Sequence, residues 1–321
     1  LFGGGFGGAG SINHGPLAAP GNVLAVRAMT VEPEPQVIEL RGPEAMLLHH
    51  TYGTNGTNGI VLELEVDLTA AVEWTECIAT FEQFDAALEF ADRFGSAPGL
   101  EKKEVCFVAA PIPQYFTSLA EHLPANQHAV LLLVAPHSEA GMRDMVAQHG
   151  GQVTYGKTAD EVASSHKTLL EYTWNHTTLH ALKVDKGLTY IQSGFNPMHR
   201  LKQVKALEAA LKGEVMMHLE FLRTKEGAFN CSGLQIIRYT TEERLNQIMQ
   251  IYRDHGVQIN NPHVYIVEDG KQNNLDPAVV GMKRRFDPQG LLNPGKLRSW
   301  YTAEPTAPVE APVQTPVRQT A

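Results

Sequence analysis

The chain has 321 residues, of which 43% are apolar, and it carries a formal net charge of −9. This composition suffices for one large core or two moderate cores, and we predict two domains. The acidic balance argues against a nucleic-acid partner, because phosphate binding requires clustered Lys and Arg. No apolar run approaches the roughly 18 residues of a spanning helix, so no membrane span is predicted.

Three cysteines, Cys77, Cys106 and Cys231, lie far apart in the sequence. Each occupies an apolar or small-residue stretch, which favours buried free thiols over a disulfide framework or a zinc site. We therefore predict a reducing, cytoplasmic location and no metal site.

The N-terminal region combines a glycine-rich start with short strands. Residues 1–21 predict an irregular, tight-turning segment, because glycine and proline interrupt regular structure. The following pattern predicts strands at 22–31 and 36–40, a brief helix at 43–50, and a strand with one wet face at 60–68.

From about residue 70 the predicted elements become longer and alternate between the two types. The predicted strands are 72–81, 104–109, 128–134, 188–193, 215–222 and 234–239. The predicted helices are 82–94, 114–123, 138–149, 201–212, 241–255 and 276–286. This pattern indicates an α+β protein whose antiparallel sheet has helices on one side. The tail at 301–321 lacks periodicity and is expected to be disordered.

The glycine-rich start contains the spacing GxGxxG in two frames, from Gly3 and from Gly5. A dinucleotide-binding fingerprint must open a helix, and the prolines that follow this segment prevent one, so we reject that interpretation. Glycines also let backbone N–H groups approach an anionic or planar ligand closely, with the Ser11 hydroxyl beside them. The alternative is a tight structural loop.

A more specific pattern lies near the C-terminus, in the sequence FDPQGLLNPGK at 286–296. Two Asx-Pro turns give this segment a fixed shape that presents Asn293 and Lys296. The segment resembles the FDPxGxLNPGK signature of the vanillyl-alcohol oxidase and p-cresol methylhydroxylase superfamily, which includes glycolate oxidase-like and D-lactate dehydrogenase-like FAD enzymes. An amide and an ammonium of this kind suit flavin carbonyls or the anionic character of a reduced flavin.

Two N-terminal segments resemble the same superfamily. The sequence GGAGSINHG at 7–15 is similar to the second half of its FAD domain, and the turn at 52–61 is similar to its GTxGI turn. The repeated Thr-Asn-Gly at 54–59 and Leu62, where the family often has Thr, depart from the pattern. The resemblance implies FAD as cofactor, contacted by Gly7, Gly8, Gly10, Ser11, Gly15, Gly59, Ile60, Asn293 and Lys296.

The resemblance also implies a domain organisation. Residues 1–70 are expected to form the second half of a split FAD-binding α+β domain, 71–285 a substrate or cap domain, and 286–300 a segment that returns to the flavin. The first half of the family's FAD domain has no counterpart here, and the chain begins at Leu1 with no anchoring element. We therefore interpret the chain as an N-terminally truncated fragment.

Members of this superfamily usually oxidise an alcohol or amine carbon by hydride transfer to the flavin, with a base taking the hydroxyl proton. The candidate bases are His176, Tyr190 and His263. His176 and His180 have a spacing that suits a metal on a helix, but the surrounding sequence does not match a zinc motif. The expected partners are a small-molecule substrate and an electron acceptor that the sequence does not identify. The oligomeric state considered for the protein is a homodimer.

Two other functions are consistent with the pattern. One is a redox-neutral flavoenzyme of the alkyl-glycerone-phosphate synthase type, in which FAD holds a covalent adduct. The other is a non-catalytic ligand-binding remnant.

Overall fold

The computed structural model describes residues 12–13, 15–17, 19, 21–42, 44–45, 54–224, 226–270 and 275–302. Gly7, Gly8, Gly10, Ser11, most of the helix predicted at 43–50 and the tail predicted to be disordered lie outside these ranges, apart from residues 301 and 302. The strands are β1 Val23–Met29, β2 Val37–Arg41, β3 Ile60–Val66, β4 Thr75–Phe81, β5 Lys102–Val108, β6 His128–Val134, β7 Gln152–Lys157, β8 Leu188–Tyr190, β9 Gln192–Gly194, β10 Val215–Met216, β11 His218–Arg223, β12 Phe229–Gly233, β13 Ile236–Arg238 and β14 Gln258–Asn260.

The α-helices are α1 Phe84–Ser96, α2 Glu139–Gln148, α3 Ala159–Ser165, α4 Asn175–Val184, α5 Arg200–Ala210, α6 Glu242–Asp254, α7 Val267–Gly270, α8 Pro277–Phe286 and α9 Ser299–Thr302. Short 3-10 segments occupy Ile112–Tyr115, Thr117–His122, Pro136–Ser138 and Leu169–Tyr172. Among the described helices, none has the length and hydropathy needed to cross a membrane.

Contacts divide the described chain into two units. Unit 1 contains Val23–Val66 and 265–302, and unit 2 contains the described part of 12–22 together with Asp67–Val264. The helix α8 therefore groups with strands β1, β2 and β3. The assignment of 1–70 to an FAD domain and of 71–285 to a substrate or cap domain remains a prediction.

Unit 2 is organised by an eight-stranded antiparallel sheet in the order β14-β9-β12-β11-β5-β6-β4-β7. One face packs under α1, α2, α5 and α6 through residues such as Phe107 and Leu132. The opposite face, with Cys106 and Leu131, packs against α4 and the 3-10 segments. Mixed helices and antiparallel sheets are confirmed, but the helices do not all lie on one side.

The central strand β6 and the helix α1 show why the core forms where it does. Strand β6 is apolar from Ala129 to Val134 because both of its faces are buried. Helix α1 places Ala87, Leu88, Ala91 and Phe94 on one face, and these side chains are fully buried. Complete burial of a side chain such as Phe94 contributes about 1.5–3 kcal/mol.

Several predicted elements have a different form. The helix predicted at 114–123 is two 3-10 segments separated by Phe116, whose ψ is 64°. The buried pair Phe116 and Leu119 is spaced by three residues, which is the 3-10 period. The strands predicted at 188–193 and 215–222 are each split, because the chain changes from one sheet to another at Ile191 and Met217.

Unit 1 contains the three-stranded antiparallel sheet β2-β1-β3 and the helices α7, α8 and α9. The Val31 N–H donates to the Phe286 carbonyl at 2.7 Å, which ties the end of α8 to the segment after β1. Strand β3 was predicted to have one wet face, but Leu62 is 46% exposed on one face and Glu63 is exposed on the other.

Candidate functional site

The loop after α8 is organised by a buried ion pair. The Lys283 ammonium donates to Asp287 Oδ2 at 2.7 Å and to the Thr57 carbonyl at 2.9 Å. The Asp287 carboxylate also accepts from the backbone N–H groups of Leu291 and Leu292, each at 2.8 Å. These bonds join the turn at 54–59 to the FDPQGLLNPGK segment, although more than two hundred residues separate them in sequence.

Opposing effects act on the Asp287 carboxyl. Burial favours its neutral form, but the Lys283 ammonium and the Leu292 and Leu291 N–H groups outweigh burial and hold the pKa of Asp287 below its ordinary value. A charged, fully satisfied aspartate therefore holds this loop.

The structure gives the two predicted flavin ligands of this segment different surroundings. Asn293 has φ 42°, and its amide nitrogen donates to the Asn55 carbonyl, so it holds the turn in place. The Lys296 ammonium lies 3.5 Å from the centre of the Tyr265 ring, and that ring is 62% exposed. Lys296 therefore carries its positive charge close to the surface of unit 1.

Gly59 is a glycine because of the fold around it. Its φ is +62°, and an added Cβ would lie 3.1 Å from the Phe286 side chain. Ile60 begins β3 directly afterwards and is 38% exposed. The glycine is therefore required by packing and conformation.

Gly15 belongs to a different unit from the other described flavin contacts that were predicted. It groups with unit 2, has φ +71°, and an added Cβ would lie 3.2 Å from the Arg223 carbonyl oxygen. The structure thus brings Gly59, Ile60, Asn293 and Lys296 into one unit, and its contacts place Gly15 in the other.

Two of the three predicted catalytic residues are in contact in unit 2. The ring centres of Tyr190 and His263 are 5.2 Å apart, with an edge-to-face arrangement. His263 Nε2 lies 2.8 Å from the Tyr190 carbonyl oxygen and 3.1 Å from Thr189 Oγ1. Since a carbonyl only accepts, Nε2 carries the proton, and the lone pair of the neutral ring is on Nδ1. His263 is an exposed residue.

Burial raises the pKa of Tyr190 above its ordinary value. The Tyr190 hydroxyl therefore keeps its proton at neutral pH and can donate a hydrogen bond.

His176 has separate contacts. It lies on the first turn of α4, where Nδ1 is 3.3 Å from the Leu170 carbonyl and 3.6 Å from a Glu171 carboxylate oxygen. His180, one turn later, has Nε2 3.0 Å from the Glu171 carbonyl and stacks on Tyr172. The two histidines thus contact backbone carbonyls at different positions.

A buried polar cluster, which we call the β5–β11 cluster, consists of Glu104, Cys106, His218 and Glu220. His218 Nε2 lies 2.7 Å from Glu220 Oε1 and 3.5 Å from Cys106 Sγ. Cys106, His218 and Glu220 have no exposed surface, and Glu104 is 6% exposed. Within the described residues, Glu104 Oε1 and Glu220 Oε2 have no hydrogen-bond partner.

Sequence analysis did not identify this cluster. The sequence does contain a signal for it: two pairs of polar residues at i and i+2 inside apolar strands, Glu104 with Cys106 and His218 with Glu220. In a strand that spacing places both members of a pair on the same face. The strand register pairs Glu220 with Cys106 and so brings the pairs together. Burial and the neighbouring Glu220 carboxylate raise the pKa of Glu104 well above its ordinary value, and burial lowers the pKa of His218 to about 4.

No protein-family model and no curated protein matches the chain. Solved structures similar to it include two crystal forms of an alkyldihydroxyacetonephosphate synthase, each with a TM-score of 0.49. Sequence identity is 12% in one and 13% in the other, and each match covers 84% of this chain and 53% of the other chain. The chain thus spans about half the length of the synthase chains that it matches.

Proposed function

We propose that this chain is part of an FAD-dependent oxidoreductase that oxidises a small hydroxylated substrate. The observation that supports the proposal is the joining of the turn at 54–59 to the FDPQGLLNPGK segment, through the Lys283 and Asn293 side chains. These two segments carry the resemblance to FAD enzymes, and both lie in unit 1. Because the chain spans about half of the matched structures, the activity is proposed for the whole protein.

The residues of unit 1 fit a flavin-contacting role in two respects. The start of β3 is exposed at Ile60, so a planar ring can pack there, and the Lys296 ammonium supplies a positive charge near the surface. FAD bound there would supply the acceptor for a hydride. Lys296 would stabilise negative charge, while Asn293 would act mainly by holding the loop.

His263 is the base that the geometry of unit 2 supports best. The bond from Nε2–H to the Tyr190 carbonyl fixes the tautomer and orients the ring, which leaves Nδ1 to accept a proton from a substrate hydroxyl. The Tyr190 hydroxyl would donate a hydrogen bond to the substrate. His176 remains a predicted base with an exposed imidazole.

The first experiment measures flavin binding by the purified protein, both as this chain and in its full natural length. Binding of added FAD is followed by absorbance and by quenching of flavin fluorescence. We expect Lys296→Met to weaken FAD binding, whereas Lys212→Met, at an exposed position in unit 2, should bind like the wild type. A full-length protein that binds no FAD would contradict the proposal.

The second experiment separates oxidation from the alternatives. A panel of small alcohols and hydroxy acids is added anaerobically to the FAD-loaded protein, and loss of flavin absorbance is recorded. Bleaching that is slowed at least tenfold in His263→Gln would support the proposed base. Turnover with no electron acceptor present would instead favour the redox-neutral alternative, and FAD binding without any turnover would favour the ligand-binding remnant.

A further inference from the structure

The β5–β11 cluster is closed to solvent and contains more acceptor groups than donors. His218 Nδ1 is 3.2 Å from the Leu234 carbonyl, and because the carbonyl only accepts, Nδ1 carries a proton. The lone pair of the neutral imidazole therefore lies on Nε2, at 2.7 Å from the Glu220 carboxylate oxygen and 3.5 Å from the Cys106 sulfur. Glu220 Oε1 also accepts from the Trp174 N–H, and its approach to Nε2 requires a proton between the two atoms, whose place a metal ion can take.

The same three side chains form the one metal-ligand group found among the described residues, with a thiol sulfur, an imidazole nitrogen and a carboxylate oxygen all within 4.8 Å of one another. From these contacts we propose that Cys106, His218 and Glu220 form a structural zinc site inside unit 2. The proposal does not depend on flavin binding.

Three features of the cluster support zinc. A thiolate and a carboxylate together neutralise a divalent cation, so the loaded site would bring no net charge into the core. Thiolate and imidazole ligands suit zinc, and a Leu234 carbonyl that fixes the His218 tautomer is the usual outer partner of a metal-bound histidine. The three side chains supply three of the four ligands of a tetrahedral zinc ion, and their complete burial keeps a substrate away from the site.

The Cys106–His218 distance agrees with a bound zinc ion, whereas the His218–Glu220 distance would have to increase. Bonds of about 2.3 Å to sulfur and about 2.0 Å to nitrogen place these two atoms roughly 3.5 Å apart at a tetrahedral angle, which matches the Cys106–His218 distance. The His218–Glu220 distance of 2.7 Å is that of a hydrogen bond, so the carboxylate must withdraw by roughly half an ångström when metal replaces the proton. Thr177 Oγ1 lies 3.3 Å from Nε2 and donates to the Tyr172 carbonyl.

Cobalt provides a direct test, because it occupies zinc sites and its bond to a thiolate gives a charge-transfer absorption band. The protein is expressed in cobalt-supplemented minimal medium, dialysed against EDTA, and analysed by absorbance and elemental analysis. We expect close to one cobalt per chain and a thiolate-to-cobalt band. Protein from zinc-supplemented medium should likewise retain zinc.

Variants identify which thiol binds. Cys106→Ala should abolish the band, while Cys77→Ala and Cys231→Ala, which change the other two buried free cysteines, should keep it. Wild-type protein without stoichiometric metal or without the band would overturn the proposal, as would loss of the band in Cys77→Ala or Cys231→Ala. These measurements decide the question even if Cys106→Ala does not fold.

Discussion

At the residue scale, unit 1 is organised by the buried ion pair of Lys283 and Asp287. The residue type alone did not indicate that Lys283 would be buried. Lys283 belongs to a basic run on α8, and such a run usually forms a solvated helix face. The structure buries its ammonium against Asp287 and two carbonyls, of Thr57 and Leu292. Lys283 thus holds together the segments on which the flavin proposal rests.

Replacing Lys283 by Met should destabilise the protein strongly, because Asp287 would remain buried without its cation. We expect a loss of about 3–5 kcal/mol in the free energy of unfolding, measured by urea denaturation. Arg285→Met is the matched control on the same helix, where the guanidinium lies over the Phe286 ring, and should cost about 0.5–1 kcal/mol. Equal losses in the free energy of unfolding for the two variants would show that the buried ion pair does not stabilise the protein more than the exposed contact of Arg285 does.

Asp287 should also make the protein sensitive to acid. Its folded pKa lies below the unfolded value of about 4, so its stabilising contribution is complete above about pH 4 and is lost as pH falls through the folded pKa. Thermal unfolding midpoints of the wild type and of Asp287→Asn, recorded between about pH 5 and about pH 2, test this. The variant should be less stable at pH 5 and should lose less on acidification; parallel curves would contradict the assignment.

At the element scale, prediction worked best where one element buries a regular face. Strand β6 was predicted with its observed bounds from a continuous apolar run, because both of its faces are buried. Helices α1, α2, α5, α6 and α8 were predicted within a few residues, because periodic apolar positions mark the face that each helix buries. Strand β12 was missed, since its sequence FNCSG has little β propensity and is held by its partners β9 and β11.

The turn before β3 shows how an element boundary depends on contacts from far along the chain. The periodicity of 60–68 predicted the strand, and a repeated Thr-Asn-Gly left it open which glycine was required by the family pattern. The structure gives both Gly56 and Gly59 positive φ, and an added Cβ would lie 3.0 Å from Asn293 Nδ2 at Gly56 and 3.1 Å from the Phe286 side chain at Gly59. A contact between residues so distant in sequence leaves no local signal.

Replacing Gly59 by Ala should therefore destabilise unit 1. The left-handed conformation alone costs an L-residue about 1–2 kcal/mol, and the crowded Phe286 side chain adds to that cost. Gly99→Ala is the control, because an added Cβ there meets no atom within 4 Å and its φ is not in the left-handed region. Unfolding midpoints that are equal in the two variants would contradict the structure of this turn.

At the scale of the whole molecule, the described chain divides into a small unit assembled from separate segments and a larger unit that contains an eight-stranded sheet and the three-stranded sheet β10-β13-β8. Unit 1 draws its strands from 23–66 and its helices from 265–302, whereas unit 2 takes its eight-stranded sheet from the continuous stretch between them. Sequence analysis inferred a substrate or cap domain at 71–285 from the resemblance of both ends to one FAD domain, and that assignment stays a prediction.

Flavin binding should stabilise the part of the molecule that contacts the cofactor. At a free FAD concentration 100 times the dissociation constant, the gain is about 2.7 kcal/mol. We expect hydrogen exchange followed by mass spectrometry to show slower exchange in β1, β3 and α8 after FAD is added. Slowing confined to the eight-stranded sheet would contradict the assignment of flavin contacts to unit 1.

The sequence by itself determined the α+β class, the periodic helices, the apolar central strand and the two turn-forming segments, because each of these is a local property of residue type and spacing. Only the tertiary structure decided which polar side chains meet. Strand register placed Cys106 beside Glu220, the pairing of β14 with β9 brought His263 to the Tyr190 carbonyl, and packing of α8 buried Lys283. These contacts join residues far apart in the chain, so no pattern within a single segment predicts them.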